Sequence, residues 1–317
     1  MNFQIIGTGS SHPACSKTND DLAKLVETSD EWITTRTGIK SRYVSTGETL
    51  TDLACEAAEH ALENAATAAQ ELDLIICATI RGDYFTPSLA CIVQQKIGAS
   101  CPAFDINAAC PGFIYALDVA AGYFARKTVK KVLIVAAEMM TKMVDWNDRS
   151  TCVLFGDGAG ATVLAEGDSL LSIKLTAQGG TDLLNIPNVN GNSPFCDCPK
   201  NDPYLFMNGP EVYKFAVAAM ERDVKEVVEM AGLTLEDISY VLPHQANLRI
   251  IDTGRKKLKI PKEKVLVNIE QHGNISSACI PTLLDELNRK SFFKRGDILA
   301  LCAFGGGLTT GACILKW

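Results

Sequence analysis

Short apolar runs alternate with amphipathic stretches along most of the 317-residue chain. In the first half, apolar runs at 72–79, 103–107 and 132–138 predict strands. Apolar residues recur at helical spacing in 88–98 and 110–126, which predicts helices there. Uninterrupted apolar strands that alternate with helices are typical of a parallel sheet covered on both faces. The first half is therefore predicted to be an α/β unit.

The second half repeats this order of elements. Its pattern predicts strands at 238–242, 265–269 and 297–303, and helices at 247–258 and 276–290. The repeated order predicts a duplicated α/β fold. We place the two halves at 1–170 and 171–317, with an irregular loop at 181–203 between them.

Each half also ends in a predicted glycine-rich hairpin. The two turns are Phe155-Gly156-Asp157-Gly158-Ala159-Gly160 and Phe304-Gly305-Gly306-Gly307. The first turn lies between strands rather than before a helix, so it lacks the helix N-terminus that holds a phosphate. Gly7-Thr8-Gly9 lacks the third glycine and the acidic residue of a dinucleotide site. No nucleotide site is predicted.

The segment 298–315 is a run of 18 uncharged residues, at the lower limit for a transmembrane helix. Four glycines interrupt it, and each costs about 1 kcal/mol in a helix. Two buried strands joined by a glycine turn are therefore predicted instead of a membrane span. We expect a soluble, cytoplasmic protein without a signal peptide.

Composition narrows the function further. Hydrophobic residues form 47% of the chain and charged residues 21%, which excludes wholesale disorder. The net charge of −7 disfavours nucleic-acid binding. Most of the 12 cysteines lie in apolar runs and are predicted to be buried free thiols in a reducing cytosol. Cys196-Asp197-Cys198 lacks the spacing and the second pair of a zinc site, so it is predicted to be a polar loop and no metal is expected.

One cysteine stands apart from the others. In Asp105-Ile106-Asn107-Ala108-Ala109-Cys110-Pro111-Gly112-Phe113, a predicted strand ends, small residues follow and a helix begins. Pro111 suits the first helical position, where a missing N–H costs least. The positive end of the helix dipole then predicts a Cys110 pKa below the ordinary ~8.5. Cys110 is therefore the candidate nucleophile.

A cysteine nucleophile needs polar partners that are usually remote in sequence. His244 follows a predicted strand and opens a helix, the place where parallel sheets bind their ligands. His12 and His60 are predicted to be structural, and His272 is left open. Asn274 precedes another predicted helix, so it offers a third polar side chain at the same edge of the sheets.

These motifs closely resemble the β-ketoacyl-acyl-carrier-protein synthase III family, the initiating condensing enzymes of bacterial type II fatty acid synthesis. The resemblance runs nearly end to end, through Gly7-Thr8-Gly9-Ser10, Thr28-Ser29-Asp30-Glu31-Trp32-Ile33, Arg36-Thr37-Gly38-Ile39, the Cys110 turn, Phe155-Gly156-Asp157-Gly158-Ala159-Gly160-Ala161, Pro243-His244-Gln245-Ala246-Asn247, Gly273-Asn274 and Phe304-Gly305-Gly306-Gly307. It implies a thiolase-like fold of duplicated α/β halves in five α-β-α-β-α layers, and a homodimer. An asparagine as third partner is typical of synthase III, because related elongating synthases use a histidine there and thiolases a cysteine.

The resemblance implies an acyltransferase with two half-reactions. Cys110 would attack an acyl-CoA and keep the acyl group. Malonyl-acyl carrier protein would then lose carbon dioxide, and its carbanion would attack the acyl-cysteine. The backbone N–H groups of Cys110 and Gly306 would form the oxyanion hole, while His244 and Asn274 would donate to the malonyl thioester. No cofactor is implied, because acyl-CoA is a substrate.

Substrate-binding residues also follow from the resemblance. The coenzyme A site would comprise Trp32, Arg36, Arg149, Gly209 and Asn247. The rim that meets the acidic acyl carrier protein would comprise Lys214, Arg249, Lys256 and Lys257. Cations on helices are also often just a solvated face, so both interpretations of that rim stay open.

Two departures from the family pattern bear on activity. Pro111 stands where members commonly carry a small residue with an N–H, so one donor beside Cys110 is lost. Thr86 stands where many members carry a phenylalanine that lines the partner subunit's acyl pocket, so we predict acceptance of primers longer or more branched than acetyl-CoA.

Two alternatives to a fatty acid synthase III remain. One is a condensing enzyme of a specialised pathway, which would keep the same three residues. The other is an inactive partner subunit, which the intact Cys110 disfavours.

Overall fold

The computed structural model describes residues 2–188, 195 and 203–317. The strands in this part are β1 (Asn2–Ser11), β2 (Ser16–Thr18), β3 (Ser41–Tyr43), β4 (Leu74–Ala78), β5 (Ala103–Ile106), β6 (Lys131–Met139), β7 (Asp157–Gly167), β8 (Leu170–Ala177), β9 (Leu184–Asn185), β10 (Phe206–Met207), β11 (Tyr240–Pro243), β12 (Ile298–Gly305) and β13 (Thr309–Lys316). The α-helices are α1 (Asn19–Leu22), α2 (Asp30–Thr37), α3 (Leu50–Asn64), α4 (Leu89–Lys96), α5 (Gly112–Ala125), α6 (Gly209–Met230), α7 (Leu248–Leu258), α8 (Ile269–His272) and α9 (Cys279–Arg289).

Two sheets form the frame, and the second repeats the order of four of the first sheet's five strands. The first has the order β1-β7-β6-β4-β5, with β4 parallel to β5 and β6, and with β7 antiparallel to β1 and β6. The second has the order β8-β13-β12-β11, with β11 parallel to β12 and β13 antiparallel to both of its neighbours. The predicted duplication of an α/β unit is confirmed.

The layers follow from how each helix buries its apolar face. Helices α3 and α4 cover the outer face of the first sheet, and α6 and α7 cover the outer face of the second. Helices α5 and α9 lie between the sheets, in a core to which both sheets contribute. The predicted α-β-α-β-α arrangement is therefore present. The boundary at residue 170 stays a prediction, although the strands of the first sheet end at Gly167 and the second sheet begins at Leu170.

The uncharged run near the C-terminus forms β12 and β13, which pair antiparallel across a turn at 306–308. The predicted pair of buried strands is confirmed. Among the described residues, no helix is both long and apolar enough to span a membrane. The predicted irregular loop at 181–203 contains β9 in its described part. Cys196-Asp197-Cys198 lies outside the described residues.

Most predicted elements of the two repeats differ from the observed ones by at most two residues at either end. The predicted strand at 265–269 is wrong. Val265 makes only one parallel bridge, to Val241, and the chain then turns into α8. The cause is a pair of hydrogen bonds from Asn268. Its backbone N–H donates to the Gln245 side chain and its side-chain amide donates to Glu286, and these bonds draw the segment away from the sheet edge.

The prediction of a glycine-rich hairpin at 155–160 is also wrong. Strands β6 and β7 do pair antiparallel, but residues 140–156 connect them and Asp157 already belongs to β7. The glycines instead permit close packing. A Cβ at Gly160 would lie 2.6 Å from the Thr282 amide nitrogen, so only a glycine lets α9 rest directly on β7.

Candidate active site

One cavity of about 1130 Å³ opens at the carboxyl ends of β5, β11 and β12. It is larger than the ~300–1,000 Å³ of most small-molecule sites. Cys110, His244 and Asn274 all line it, although they come from three separate segments of the chain. Much of the remaining wall is apolar and includes Ile80, Leu184, Leu205, Met207 and Leu308. The fold thus brings the three predicted catalytic side chains to one space.

The turn that carries Cys110 is held by its own backbone and by the β12–β13 turn. Ala109 has a φ of 50°, in the left-handed region that costs an alanine about 1–2 kcal/mol. Its N–H bonds the Asn107 side chain at 3.1 Å, and its carbonyl accepts from Gly112 N at 2.9 Å. A Cβ at Gly305 would lie 2.8 Å from Cys110 N, which explains the glycine there. Gly306 also lines the cavity beside this turn.

The Cys110 thiol does not have the lowered pKa that its position predicts. Burial raises the pKa of Cys110 to about 12, and the Glu138 carboxylate adds to this effect. The Ser276 hydroxyl lies 3.6 Å from the sulfur and acts in the opposite direction. Helix α5 begins at Gly112, and Pro111 is its N-cap residue rather than its first helical residue. Desolvation therefore outweighs the helix dipole, and the resting Cys110 side chain is a thiol.

This pKa has a measurable consequence. Because only the thiolate is alkylated, iodoacetamide labelling of Cys110 in the substrate-free protein is expected to accelerate about tenfold per pH unit from about pH 7 to 9. Peptide mapping at each pH measures the labelled fraction of Cys110, with the exposed Cys91 as an internal reference. A rate that levels off below about pH 8 would show that the helix dipole dominates.

His244 follows β11 and is held by its backbone, whose N–H donates to Cys302 O at 2.7 Å. Its ring is buried beside Phe304, with the ring centroids 5.6 Å apart. Burial lowers the pKa of His244 to about 3, so the imidazole is neutral near pH 7. Within the described residues, Nδ1 has no hydrogen-bond partner. Nε2 is the nitrogen left for a substrate, and in the Nε2–H tautomer it donates.

Asn274 lies between α8 and a short 3-10 helix at Ser276–Ala278. Its backbone is fixed from both sides, because its N–H donates to Leu154 O at 2.9 Å and its carbonyl accepts from Gly156 N at 3.1 Å. Its side-chain Oδ1 accepts from Ser276 N at 2.8 Å. With the oxygen satisfied, the amide N–H groups are the part of the side chain that remains for the cavity.

Three polar residues behind the nucleophile escaped the sequence reasoning. Glu138 is fully buried at the end of β6 and accepts from Ser277 Oγ at 2.7 Å and from Ile80 N at 3.1 Å. Burial raises its pKa to about 7. Ser276, the residue before Ser277, contacts the Cys110 sulfur through its hydroxyl. An acidic residue inside the apolar run Val135-Ala136-Ala137-Glu138-Met139 is the signal that could have revealed this cluster.

An aromatic and cationic group lies at the mouth of the cavity. The guanidinium carbon of Arg36 is 4.5 Å from the centroid of the Trp32 ring, and that of Arg149 is 5.2 Å from it. Trp32 and Arg36 line the cavity together with Gly209 and Asn247. Arg149 also donates to Glu27 O at 2.9 Å. A planar ring next to cations can hold a flat base and its phosphates.

Comparison with known proteins decides the family. Residues 104–179 match the model described as 3-oxoacyl-[acyl-carrier-protein (ACP)] synthase III, and residues 228–317 match its C-terminal counterpart. The β-ketoacyl-[acyl-carrier-protein] synthase III of Clostridium acetobutylicum is 49% identical over 322 residues, covering 100% of this chain and 99% of that protein. The chain belongs to the β-ketoacyl-acyl-carrier-protein synthase III family.

Solved structures agree with this assignment. The 3-oxoacyl-[acyl-carrier-protein] synthase III of Aquifex aeolicus VF5 superposes with a TM-score of 0.93 at 47% identity, covering 99% of this chain and 100% of that one. The priming β-ketosynthase of the R1128 polyketide biosynthetic pathway superposes with a TM-score of 0.93 at 34% identity, covering 99% and 96%. The predicted family and its thiolase-like fold are confirmed.

The residues that synthase III resemblance assigns to the carrier-protein rim lie on two packed helices. Lys214 is on α6, and Arg249, Lys256 and Lys257 are on α7. The three lysines form ion pairs: Lys214 with Glu211, Lys256 with Asp252 and Lys257 with Glu221. Arg249 reaches the cavity wall. Exposed pairs of this kind contribute only about 0–1 kcal/mol, so an acidic partner can compete for these lysines.

Thr86, the residue assigned to the acyl pocket, lies away from the cavity of its own chain. It is exposed, in the loop between β4 and α4, and is not part of the cavity wall of its own chain. This placement agrees with the expectation that it serves a partner subunit's pocket, and leaves that expectation a prediction.

Proposed function

We propose that this synthase III condenses an acyl-CoA primer with malonyl-acyl carrier protein and so initiates type II fatty acid synthesis. The observation that carries the proposal is the convergence of Cys110, His244 and Asn274 on one cavity. The cavity leads from the nucleophile to the group of Trp32 and Arg36 at its mouth. This arrangement supports a thioester site with a nucleotide anchor.

In the first half-reaction, the Cys110 sulfur attacks the thioester carbon of the acyl-CoA. The new carbon–sulfur bond forms as the bond to the coenzyme A sulfur breaks, and the thiol proton leaves with coenzyme A. Negative charge develops on the carbonyl oxygen in between. We assign its stabilisation to the backbone N–H groups of Cys110 and Gly306, which border the same space.

In the second half-reaction, malonyl-acyl carrier protein loses carbon dioxide. The electron pair of the broken carbon–carbon bond becomes an enolate on the thioester, and His244 and Asn274 donate hydrogen bonds to its oxygen. The carbanion carbon then attacks the acyl-Cys110 carbonyl. A carbon–carbon bond forms, the carbon–sulfur bond breaks, and the sulfur recovers a proton. Decarboxylation supplies the electron pair, so the proposed reaction uses no cofactor or metal.

Intact-protein mass measurement tests the proposal directly. Incubation with acetyl-CoA is expected to add one acetyl group to the protein, and addition of malonyl-acyl carrier protein is expected to remove it as a β-ketoacyl product. Failure to form a covalent adduct with any acyl-CoA would refute the proposed chemistry.

The free thiols of the described cysteines fit the reducing cytoplasm, which we propose as the location.

A second candidate function differs only in pathway. The likeness to the priming β-ketosynthase of R1128 polyketide biosynthesis supports a specialised condensing role. Both roles need the same three residues, so the preferred carrier protein separates them. Faster turnover with a polyketide carrier protein than with the fatty acid carrier protein would favour the specialised role.

We assign coenzyme A binding to Trp32, Arg36, Arg149, Gly209 and Asn247. Trp32 and the two arginines form the cationic and aromatic group at the mouth. Gly209 and Asn247 line the same cavity as that group and the proposed catalytic residues. The adenine would stack on Trp32 and the phosphates would meet the guanidinium groups.

The basic rim is proposed to bind the carrier protein mainly through charge. We therefore expect the KM for malonyl-acyl carrier protein to rise steeply with salt, while the KM for acyl-CoA changes little. Lys256→Glu is expected to raise the carrier-protein KM about tenfold. Lys24→Glu is the matched control, because Lys24 is also an exposed lysine paired with an aspartate. Equal salt dependence for both substrates would contradict the assignment.

We propose that the chain forms a homodimer through the edge of its first sheet. Strand β5 is the outermost strand of that sheet, and each of its residues is only half buried. Tyr84 and Phe85, in the loop before α4, are 63% and 80% exposed. An unpaired strand edge beside exposed aromatic side chains is a surface that proteins normally cover. Pairing of two such edges would carry Thr86 toward the partner's cavity.

The size of residue 86 is then expected to set primer length. Thr86→Phe is expected to lower kcat/KM for acyl-CoA chains longer than about four carbons by about tenfold, with acetyl-CoA nearly unaffected, because the larger ring fills the end of the pocket. Adduct formation across a ladder of acyl-CoA primers measures this, and Thr86→Ser is the matched control. A wild-type protein that accepts only acetyl-CoA would contradict the prediction.

A further inference from the structure

The two proposed enolate donors, His244 and Asn274, lie on separate segments of the chain. His244 lies in the loop between β11 and α7, and Asn274 lies after α8. Helix α9, which packs between the sheets, passes behind both. Cys279 and Glu286 are seven residues apart on this helix, and two helical turns place them on the same face.

Cys279 connects the segments close to the cavity. Its sulfur accepts from Ile275 N at 3.3 Å and lies 3.8 Å from Asn274 Oδ1. The backbone N–H of Gln245, the residue after His244, also acts on this sulfur and helps to lower the pKa of the thiol. Burial raises the pKa of Cys279 well above its ordinary range, so the thiol keeps its proton and can donate it to Asn274 Oδ1. This bond helps to turn the Asn274 amide N–H groups away from α9.

Glu286 connects the same segments two turns farther along α9. One carboxylate oxygen accepts from His272 Nε2 at 2.5 Å and from Asn268 Nδ2 at 3.2 Å. His272 lies two residues before Asn274. Asn268, in turn, donates its backbone N–H to the Gln245 side chain at 3.2 Å. Glu286 thus reaches the Asn274 segment through His272 and the His244 segment through Asn268 and Gln245.

The charge of Glu286 favours these bonds. Burial acts to raise the pKa of Glu286, but the hydrogen bonds from His272 and Asn268 outweigh burial and hold that pKa below its ordinary value. The net result is a carboxylate that is ionised near pH 7 and accepts two hydrogen bonds. Charge-assisted bonds of this kind are shorter and roughly twice as strong as neutral ones.

We propose that Cys279 and Glu286 are positioning residues that hold His244 and Asn274 at the spacing required to share one enolate oxygen. The inference rests on the proposed function of that pair. Neither residue contacts Cys110 or the Gly306 turn through a hydrogen bond that the structure shows. They therefore act on the second half-reaction and leave the first nearly unchanged. Small displacements of aligned donors are costly, because stabilisation of developing charge depends on geometry fixed in advance.

Single-turnover kinetics on the full-length protein separates the two half-reactions. Adduct mass first gives the rate of Cys110 acylation by acetyl-CoA, and its loss after addition of malonyl-acyl carrier protein gives the rate of condensation. Glu286→Ala and Cys279→Ala are each expected to slow condensation about tenfold and to keep acylation within about twofold. Glu286→Gln and Cys279→Ser keep an acceptor or a donor at the same place, and are expected to recover most of the condensation rate.

Glu270→Gln is the matched control, because Glu270 lies on α8 but its ion pair with Lys40 is exposed. Equal losses in acylation and condensation would reveal general structural damage and overturn the proposal, as would unchanged condensation in both alanine variants. Gln and Ser variants as slow as the alanine variants would overturn it too. If the wild-type protein forms no adduct, the proposed function itself fails, which is a distinct result. If Glu286→Ala does not fold, the two Cys279 variants still decide.

Discussion

Replacing Cys110 with alanine is expected to lower condensation by at least about 10⁴-fold and to abolish the acyl adduct, because no other group can carry the acyl chain between the half-reactions. Intact-protein mass after incubation with acetyl-CoA measures the adduct, and β-ketoacyl product formation measures the rate. The variant should still bind acyl-CoA, since the group at the mouth of the cavity is unchanged.

The control for this variant is Cys91→Ala, which removes an exposed thiol remote from the cavity wall and should leave the adduct intact. The Cys110 variant should also retain slow decarboxylation of malonyl-acyl carrier protein, because His244 and Asn274 remain in place. An adduct of normal size on Cys110→Ala would mean that another residue is the nucleophile.

Loss of either enolate donor should slow the second half-reaction and leave the acylation of Cys110 nearly unchanged. His244→Ala and Asn274→Ala are each expected to slow decarboxylation about 10²- to 10³-fold, the usual cost of removing one donor to developing negative charge. Acylation of Cys110 should change by no more than a few-fold. Carbon dioxide release from malonyl-acyl carrier protein and adduct mass measure the two rates separately.

The protonation state of His244 adds a pH test to the same experiment. Its pKa is lowered to about 3, so the charged form appears only below about pH 3 and the neutral donor persists through the range from about pH 5 to 8. Decarboxylation in the Cys110→Ala background should therefore show no step near pH 6.5. A step there that disappears in His244→Gln would show that the ring is protonated in the working site.

In the proposed reaction, the two halves of the duplicated fold supply different parts of the chemistry. The first provides the nucleophile after β5, and the second provides both donors, after β11 and after α8. Helix α9 belongs to the second half but packs on β1 and β7 of the first sheet. The donors are thus anchored to the same rigid core as the thiol, which suits a reaction in which two substrates meet at one carbon atom.

The low acidity of the Cys110 thiol has a consequence for catalysis. Near pH 7 only a small fraction is thiolate, and the fully buried Glu138 opposes ionisation further. Ser276, 3.6 Å from the sulfur, is the nearest hydroxyl that favours it. The absence of an N–H at Pro111 removes one donor that a helix start could otherwise offer. The departure at Pro111 therefore acts in the same direction as burial.

Local patterns in the sequence were sufficient to predict most strands and helices of the two repeats and to choose the candidate site residues. Periodic apolar runs identified the strands and helices of both repeats, because each buries one face or both against a neighbour. Small residues before a helix start marked Cys110 among 12 cysteines, the end of a predicted strand marked His244, and the start of a predicted helix marked Asn274. The same reasoning failed at 265–269 and 155–160, where a long-range polar bond and the close packing of α9 outweigh local preference.

What the sequence by itself determined about this protein is its family, its repeated α/β order and the choice of three candidate catalytic side chains that line one cavity. Only the tertiary structure decided how they are arranged and charged. Burial, which raises the pKa of Cys110 to about 12 and lowers that of His244 to about 3, depends on residues far away in the chain. The placement of Glu138 behind the thiol, and of one face of α9 behind the donors, also depends on residues far away in the chain. Desolvation and hydrogen-bond geometry are properties of packed neighbours, and no local pattern encodes them.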